Sequence, residues 1–237
     1  MEEFQQPFFN QSLLTLASAE GTAAQQRRPA GQGEVHVWSI SLSQSKERME
    51  NLFATLSAQE KEKAARFRVD KARNQWIVGR GILRTILSRY IDMSPLEIEF
   101  EYGPQGKPSL VNQPSFHFNF SHSGERALCA VSNIGPVGVD IEKIRSIPGA
   151  DAIAKRYFSP QEQAELDNAP ATEKQRVFFQ IWTRKEAILK WSGQGIAQME
   201  TTPAPASVAI HELTPAPHYA GCLATRKGPP VIRLWVY

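Results

Sequence analysis

Cysteine and long apolar runs are both scarce in this chain. Cys129 and Cys222 are its two cysteines among 237 residues. Two are too few for a disulfide scaffold, so we expect a reducing, cytoplasmic location. Cys129 lies in an apolar run and is predicted to be a buried free thiol. No apolar run approaches the roughly 20 residues of a membrane span, and no basic segment precedes an apolar one as in a signal peptide.

A large excess of charge of one sign is also absent. The chain has 27 lysines and arginines against 24 aspartates and glutamates, which gives a net charge of +3. This mild basicity suits an anionic ligand without requiring a nucleic acid. Apolar residues make up 41% of the chain and charged residues 22%. These values are typical of a globular protein, and the length allows one large domain or two small ones with a real core.

What the chain does contain is a stretch, residues 178–196, that is predicted to form one amphipathic helix ending at a glycine pair. Trp182, Glu186 and Leu189 follow an i, i+4, i+7 spacing, so the carboxylate of Glu186 shares a stripe with two large apolar side chains. A buried carboxylate needs a cation or a hydrogen-bonding partner. The alternative is a surface pair of Glu186 with Lys190, which is common on helices and weakly stabilising.

A second stretch, residues 138–142, alternates apolar and acidic side chains in the order GVDIE. In a strand, Asp140 and Glu142 would project from one face, about 7 Å apart. Two such carboxylates form a site for a hard cation if a third reaches them, and Glu186 is the obvious third. Taken alone, an Asp-x-Glu pattern is usually an ordinary solvated strand face.

Together, the GVDIE stretch at 138–142 and the WTRKEA stretch at 182–187 resemble the signature pair of the Sfp-type 4′-phosphopantetheinyl transferases in spacing and order. Within this family, the resemblance is strongest to the cyanobacterial members. Lys190 and the glycine turn after it continue the match. The turn before Pro108 and the NFSHS stretch at 119–123 also match family motifs. The resemblance extends from about residue 34 to the end of the sequence, outside the N-terminal extension.

The resemblance implies a set of site residues. It implies that Asp140, Glu142 and Glu186 bind a metal ion, Mg²⁺ or alternatively Mn²⁺. Basic and hydroxyl side chains are expected to bind coenzyme A: Lys63, Arg80, Lys107, Ser121, His122, Lys185 and Lys190. The residues expected to take part in catalysis are Glu186, Lys190 and His122.

The implied reaction transfers 4′-phosphopantetheine from coenzyme A to a serine of an apo acyl or peptidyl carrier protein and releases adenosine 3′,5′-bisphosphate. The expected protein is a cytoplasmic monomer without a nucleic-acid or membrane partner. Carriers of fatty-acid, polyketide and nonribosomal-peptide synthesis present similar serines, so the sequence does not select among them.

Two other functions start from the same residues. A serine hydrolase would use Ser121 or Ser123 with His122 and Asp140, although a Ser-His dipeptide does not itself give triad geometry and the G-x-S-x-G elbow is missing from the sequence. A nucleic-acid-binding module would use the basic helices between Lys61 and Arg89, although regular aromatic platforms are missing there and the charge is modest.

Local patterns predict an α+β order of elements. Strands are expected at 34–41, 98–102, 207–210, 220–224 and 231–237, and a three-stranded antiparallel meander at 115–121, 126–132 and 137–143. Helices are expected at 46–56, 57–68, 71–91, 152–158 and from 160 onward, with Ser57 and Asp70 as N-caps.

The predicted organisation is a flexible extension over 1–33, an N-terminal half over 34–136 and a C-terminal half over 137–237. The resemblance implies that the two halves are of similar size and related by pseudo-twofold symmetry. Each half is expected to carry a small, mainly antiparallel sheet packed on helices.

Overall fold

A computed structural model describes residues 14–15, 33–195, 205–228 and 230–237. Ile196, which ends the predicted helix stretch 178–196, most of the proposed 1–33 extension, residues 197–204 and residue 229 lie outside these ranges. The described residues form ten strands, six α-helices and one short 3-10 helix. None of the described helices is both long enough and apolar enough to cross a membrane.

The N-terminal half begins with a strand, continues through three helices and closes with hairpins. Its elements are β2 (Glu34–Ser41), α1 (Lys46–Ala54), α2 (Ala58–Ala65), α3 (Asp70–Leu87), a 3-10 helix (Pro95–Glu97), β3 (Phe100–Tyr102), β4 (Pro108–Leu110), β5 (His117–Ser123) and β6 (Arg126–Ser132). A two-residue strand, β1 (Leu14–Thr15), precedes it within the N-terminal extension.

The C-terminal half repeats this order of a strand, three helices and a hairpin. Its elements are β7 (Gly138–Lys143), α4 (Ala150–Tyr157), α5 (Pro160–Asp167), α6 (Lys174–Ser192), β8 (Val208–Thr214), β9 (Tyr219–Arg226) and β10 (Val231–Val236). The expected α+β fold with two similar halves is therefore present.

Helix capping follows the sequence in one place and departs from it in another. Ser57 caps α2, and its hydroxyl accepts from the backbone of Glu60, whose carboxylate accepts from Ser57 in return. The predicted cap at Asp70 is wrong: Val69 is the N-cap of α3, and Asp70 is the first helical residue, paired with Arg73. An acid in the first turn is favourable there because it faces the positive end of the helix dipole.

The longer strands form two four-stranded sheets. The first sheet has the order β10-β2-β6-β5, and the second has the order β1-β8-β9-β7. In each sheet the first long strand of one half pairs antiparallel with the second strand of that half's hairpin, β2 with β6 and β7 with β9. The outer strands β10 and β1 add in parallel, to β2 and β8. β3 and β4 pair separately.

Alternation of side chains along the strands divides the core into layers. On β2, Val37 faces the second sheet, whereas Trp38 packs with the buried side chains of α1 and α3. On β9, Leu223 faces the first sheet, whereas Cys222 packs on Ala187 of α6. The four layers are therefore α1 with α3, the first sheet, the second sheet, and α6. Both cysteines are buried free thiols, as predicted for Cys129.

One prediction about strand pairing is wrong, and the last strand has a partner that the sequence did not indicate. The stretch 115–144 is not a three-stranded meander: β5 and β6 form a hairpin, but β7 joins the other sheet, beside β9. The last strand, β10, pairs with β2 and thus completes the sheet of the first half, although the boundary after residue 136 assigns it to the second. Local sequence patterns predict strands, but they carry no information on which distant strand becomes the partner.

Candidate active site

The site forms where α6 crosses β7. Gly138, Asp140 and Glu142 share the strand face that lies against this helix. A Cβ atom at Gly138 would collide with the carbonyl oxygen of Ala187 and the backbone nitrogen of Trp191, so only glycine permits this approach. The helix thereby lies directly over the two carboxylates.

The helix ends where the sequence predicts. Gly193 is its C-cap in a left-handed conformation with φ 74°, and its N–H donates to the carbonyl oxygen of Leu189. Glycine adopts this conformation without strain, because it has no Cβ atom.

Asp140, which is buried, and Lys190, which is partly exposed, form an ion pair at the centre of the site. The Nζ atom of Lys190 lies 2.6 Å from Oδ1 of Asp140 and 2.9 Å from the hydroxyl oxygen of Ser121. Ser121 in turn donates to the same Oδ1 over 2.7 Å. The surface pair of Glu186 with Lys190, the alternative considered from sequence, is thus not the arrangement found, because the ammonium group reaches across to β7.

Glu142 lies beside this pair and is held by a second serine. Its Oε2 accepts a 2.6 Å hydrogen bond from Ser123 and lies 3.7 Å from a guanidinium nitrogen of Arg145. Burial raises the pKa of the Glu142 carboxyl, and the negative charge of Asp140 raises it further, while the bond from Ser123 and the nearby cations lower it; the net direction is upward.

Glu186 completes the group of carboxylates and is 9% exposed. Burial raises the pKa of Glu186, and the charges of Asp140 and Glu142 raise it too, against an opposing effect of Lys190. The prediction that Glu186 shares the buried stripe of α6 is confirmed. The packing of α6 on β7 at Gly138 places Glu186 on the same side of the second sheet as Asp140 and Glu142.

The donor set suits a hard divalent cation. Asp140 Oδ2 is buried and accepts no hydrogen bond from any residue of the described chain. Leaving such an oxygen without a partner is costly unless a cation fills the role. Among the described residues, however, no three His, Cys, Asp or Glu side chains converge as a finished metal site. The ammonium group of Lys190 neutralises Asp140 in this arrangement.

Lys107 lies where the two halves meet. Its Nζ atom donates to the backbone carbonyl of Lys190, and to that of Val137 over 3.3 Å. Burial lowers the pKa of Lys107 to about 8. The turn that carries this lysine also lines a cavity of about 270 Å³, together with His117 and Gly193. In this arrangement Lys107 holds the turn against β7 and α6, and its contact with phosphate stays a prediction.

His122 follows Ser121 on β5 and projects from the opposite face of the strand. Partial burial lowers the pKa of His122, and the positive charge of Lys190 lowers it further. Ser121 is bonded to Asp140 and Lys190 instead of to the histidine. A Ser-His-Asp triad is therefore not assembled, which disfavours the serine hydrolase alternative.

The remaining predicted basic residues are already paired with protein groups. Lys185 binds Glu162 of α5 over 3.0 Å, and Lys63 Nζ lies 5.6 Å from the centre of the Trp76 ring. The Arg80 guanidinium binds Glu60, which it shares with Arg84, and stacks 3.9 Å from the centre of the Phe100 ring. These pairings also leave less free charge for the nucleic-acid alternative, and the roles of Lys63, Arg80 and Lys185 stay predictions.

Sequence reasoning missed Ser123 and Asn119 as parts of this site. Asn119, Ser121 and Ser123 alternate on β5, so a single strand face carries all three. The Asn119 side chain accepts from the backbone N–H of Val139 over 2.8 Å, while the serines bond the β7 carboxylates. The period-two spacing within the NFSHS stretch was the available signal.

Two family models match the chain in succession. The model described as 4′-phosphopantetheinyl transferase, N-terminal, matches residues 41–133. The model described as 4′-phosphopantetheinyl transferase superfamily matches residues 136–223. The second match contains β7 and α6, and therefore the three carboxylates of the site.

Curated relatives point the same way. The chain is 42% identical over 170 residues to the 4′-phosphopantetheinyl transferase HetI of a Nostoc species, covering 70% of this chain and 72% of that protein. It is 33% identical over 153 residues to the 4′-phosphopantetheinyl transferase Sfp of Bacillus subtilis, covering 65% of this chain and 67% of that protein.

Other relatives are matched over a smaller share of their length. The 4′-phosphopantetheinyl transferase AcpT of Escherichia coli is 40% identical over 121 residues, which is 51% of this chain and 58% of that protein. From the paired family matches, the extent of the HetI alignment and the carboxylates shared by β7 and α6, we conclude that the chain belongs to the 4′-phosphopantetheinyl transferase family and is a transferase enzyme.

Proposed function

We propose that this enzyme transfers the 4′-phosphopantetheine group of coenzyme A to the acceptor serine of an apo acyl or peptidyl carrier protein and releases adenosine 3′,5′-bisphosphate. The observation that carries the proposal is the packing of α6 on β7 at Gly138, which sets Glu186 against the strand face of Asp140 and Glu142, together with a buried Asp140 oxygen that accepts no hydrogen bond from the described chain. A group of acids beside Lys190 suits a reaction at a diphosphate.

The reaction has two chemical requirements. The serine oxygen attacks the β-phosphorus of a diphosphate that is already negative, and the bond from this phosphorus to the bridging oxygen breaks. The departing adenosine 3′,5′-bisphosphate carries away that oxygen, while the serine hydroxyl loses its proton. The site must therefore offset negative charge and accept one proton.

Asp140, Glu142 and Glu186 would hold Mg²⁺, or Mn²⁺ in its place. The bound ion would supply charge neutralisation at the diphosphate oxygens. The protein's part is to hold three oxygen donors from two elements in register, which the close contact at Gly138 makes feasible.

Glu186 is the proposed acceptor of the serine proton, directly or through a water. Its pKa is raised by burial and by the neighbouring acids, which makes the ionised form a better base than an exposed glutamate. Lys190, one helical turn away, opposes this shift and keeps the carboxylate form accessible.

Phosphate oxygens would be held by donors around the same centre. Lys190 of α6 and Ser121 of β5 already contact Asp140 of β7, and His122 follows Ser121 on β5. Because the pKa of His122 is lowered, the ring is largely neutral at pH 7 and contributes an N–H donor. The other proposed contacts with coenzyme A are Lys63, Arg80, Lys107 and Lys185. We also propose that the enzyme is a cytoplasmic monomer without nucleic-acid or membrane partners.

The test is incubation of the purified protein with coenzyme A, MgCl₂ and a panel of apo carrier proteins, followed by intact mass measurement of each carrier. At least one carrier is expected to gain one phosphopantetheine group at its serine. An Asp140→Asn variant should lose the transfer, and Asp151→Ala, which removes an exposed acid of α4, should keep it. Hydrolysis of a simple ester with no carrier modification would contradict the proposal.

A further inference from the structure

β5 and β7 are neighbouring strands that belong to different sheets. Side chains of β5 form hydrogen bonds along β7: Asn119 accepts from the backbone N–H of Val139, Ser121 donates to Asp140, and Ser123 donates to Glu142. The residue numbers of the bonded partners increase together along both strands, so the strands run in the same direction. We call this contact the β5–β7 seam.

Within the seam, Ser123 is fixed by two bonds of opposite kind. Its hydroxyl donates to Glu142 Oε2 over 2.6 Å and accepts from the backbone N–H of Lys143 over 3.1 Å. The side chain is buried, with the residue 9% exposed. Because the backbone N–H occupies one acceptor position, the single hydroxyl hydrogen is directed at the carboxylate.

Glu142 has one competing partner. Arg145 lies 3.7 Å from the same Oε2, and its side chain is 57% exposed. An exposed, flexible arginine holds a carboxylate weakly compared with a buried hydroxyl at 2.6 Å. Without Ser123, the carboxylate would lose its fixed partner and turn toward Arg145 and solvent.

We propose that Ser123 is a positioning residue for the cation site: its hydroxyl anchors Oε2 of Glu142 and leaves Oε1, which accepts no hydrogen bond from any described residue, for the metal ion. The proposal rests on the metal role given to Glu142 under the proposed function. Partners of this kind orient a ligand before the ion arrives, and their loss typically weakens metal binding about 10- to 100-fold.

Ser123 is a better probe than Ser121. The hydroxyl of Ser121 is shared between Asp140 and Lys190, so its removal disturbs an acid and a base together. Ser123 bonds Glu142 and a backbone N–H only, as far as the described residues show. A matched control is Ser109 of β4, an exposed serine whose hydroxyl donates to Glu101 of β3 over 3.2 Å and bonds none of the three acids.

The experiment is calorimetric titration of the metal-free protein with Mn²⁺, without carrier protein. Compared with wild type, Ser123→Ala should bind Mn²⁺ about 10-fold more weakly. Ser123→Thr, which keeps the hydroxyl, should restore most of the affinity, and Ser109→Ala should bind like wild type. In activity assays, Ser123→Ala should need more metal for half-maximal rate yet approach the normal rate at saturating metal.

The same titration separates this proposal from the proposed function. If Asp140→Ala binds Mn²⁺ as wild type does, the metal site itself is misplaced and the proposed function fails. If Asp140→Ala loses binding while Ser123→Ala retains wild-type affinity, the metal site stands and the positioning role of Ser123 is overturned.

Circular dichroism would detect a folding defect of Ser123→Ala. In that case Ser123→Cys replaces it in the titration, because cysteine has a similar size and is a much weaker hydrogen-bond donor.

A double-mutant comparison tests whether Ser123 acts through Glu142. In a Glu142→Ala background the Ser123 substitution should have no further effect on Mn²⁺ affinity. Additive losses would mean that Ser123 does not act through Glu142, and would refute the proposal.

Discussion

The Nζ atom of Lys190 and the Oδ1 atom of Asp140 lie 2.6 Å apart and join the end of α6 to the middle of β7. Asp140 is 3% exposed, and Lys190 gives it a counter-charge from within the chain. This pair explains how three acids can share a small region of a folded protein before any ion binds, because an unpaired buried carboxylate is strongly unfavourable.

We expect Lys190→Met to destabilise the metal-free enzyme. Asp140 would keep only its bond from Ser121, and the loss should be about 1–3 kcal/mol, less than for a fully buried pair because the lysine side chain is partly exposed. Urea unfolding in EDTA and in excess MgCl₂ measures it. Added Mg²⁺ should restore more stability to the variant than to wild type; equal gains would contradict the role of Lys190 as an internal counter-charge.

Asp140→Ala should abolish transfer at ordinary Mg²⁺ concentrations. The substitution removes a buried oxygen donor from a site with three acidic side chains. The rate of carrier modification is compared with that of Asp151→Ala, which lacks an exposed acid elsewhere. Near-normal turnover by a folded Asp140→Ala protein without additional metal would exclude Asp140 as a ligand.

Glu186→Gln should separate the two roles proposed for Glu186. Glutamine keeps one oxygen donor but cannot accept the serine proton as a carboxylate does. We expect a low rate even at saturating Mg²⁺ that recovers as the pH rises and hydroxide replaces the missing base. The pH–rate profiles of wild type and Glu186→Gln at saturating Mg²⁺ show whether Glu186 acts as a base as well as a metal ligand. Recovery by extra Mg²⁺ alone would leave Glu186 as a metal ligand only.

The same substitution should change stability with pH. The folded-state pKa of Glu186 is raised, so its contribution favours folding below the ordinary value of 4.5 and is lost as the pH rises through the folded pKa. In EDTA at pH 7, Glu186→Gln should therefore be more stable than wild type, and the difference should close toward pH 4. Denaturant unfolding across this range measures it; a constant difference would be inconsistent with a raised pKa.

Lys107 should affect stability at the opposite end of the pH range. Its folded pKa of about 8 lies below the ordinary 10.5. Between these values the unfolded chain holds a proton that the folded chain lacks, so this residue makes stability rise with pH there. Relative to Lys107→Met, wild type should gain stability from pH 8 to pH 10. A flat difference in unfolding free energy would show that the amine is well solvated.

His122→Ala should weaken coenzyme A binding more than it slows the saturated reaction, because a phosphate-holding donor contributes to ground-state and transition-state binding alike. Isothermal titration with coenzyme A and steady-state rates give the two quantities. A lower kcat with unchanged coenzyme A affinity would instead assign His122 to the chemical step.

The sequence predicted the carboxylates of the site better than it predicted their surroundings. The period of β7 and of α6 fixes which side chains share a face, so Asp140, Glu142 and Glu186 could be grouped in advance. The ion pair of Lys190 with Asp140 could not be predicted, because which acid a long, flexible lysine side chain contacts depends on how the helix and the strand pack. The family resemblance named Lys107 but not its two carbonyl partners.

Pairing between distant strands was beyond the sequence for a related reason. The alternation of apolar and acidic side chains along β7 fits a strand of either sheet. The sequence of β7 itself does not exclude β6 as its neighbour. The packing of Gly138 on α6 settles the choice, because that contact places β7 on the opposite side of the core from α1 and α3. The glycine is readable in the sequence, but its partner atoms are not.

The pairing of β10 with β2 has a consequence for how the chain folds during synthesis. Val231 and Glu34 lie side by side in one sheet although almost the whole chain separates them. The β2 edge of the first sheet therefore stays uncovered until residues 231–236 have emerged from the ribosome. Until then β2 presents an open edge to its surroundings, the kind of surface that chaperones shield and that other nascent chains can join.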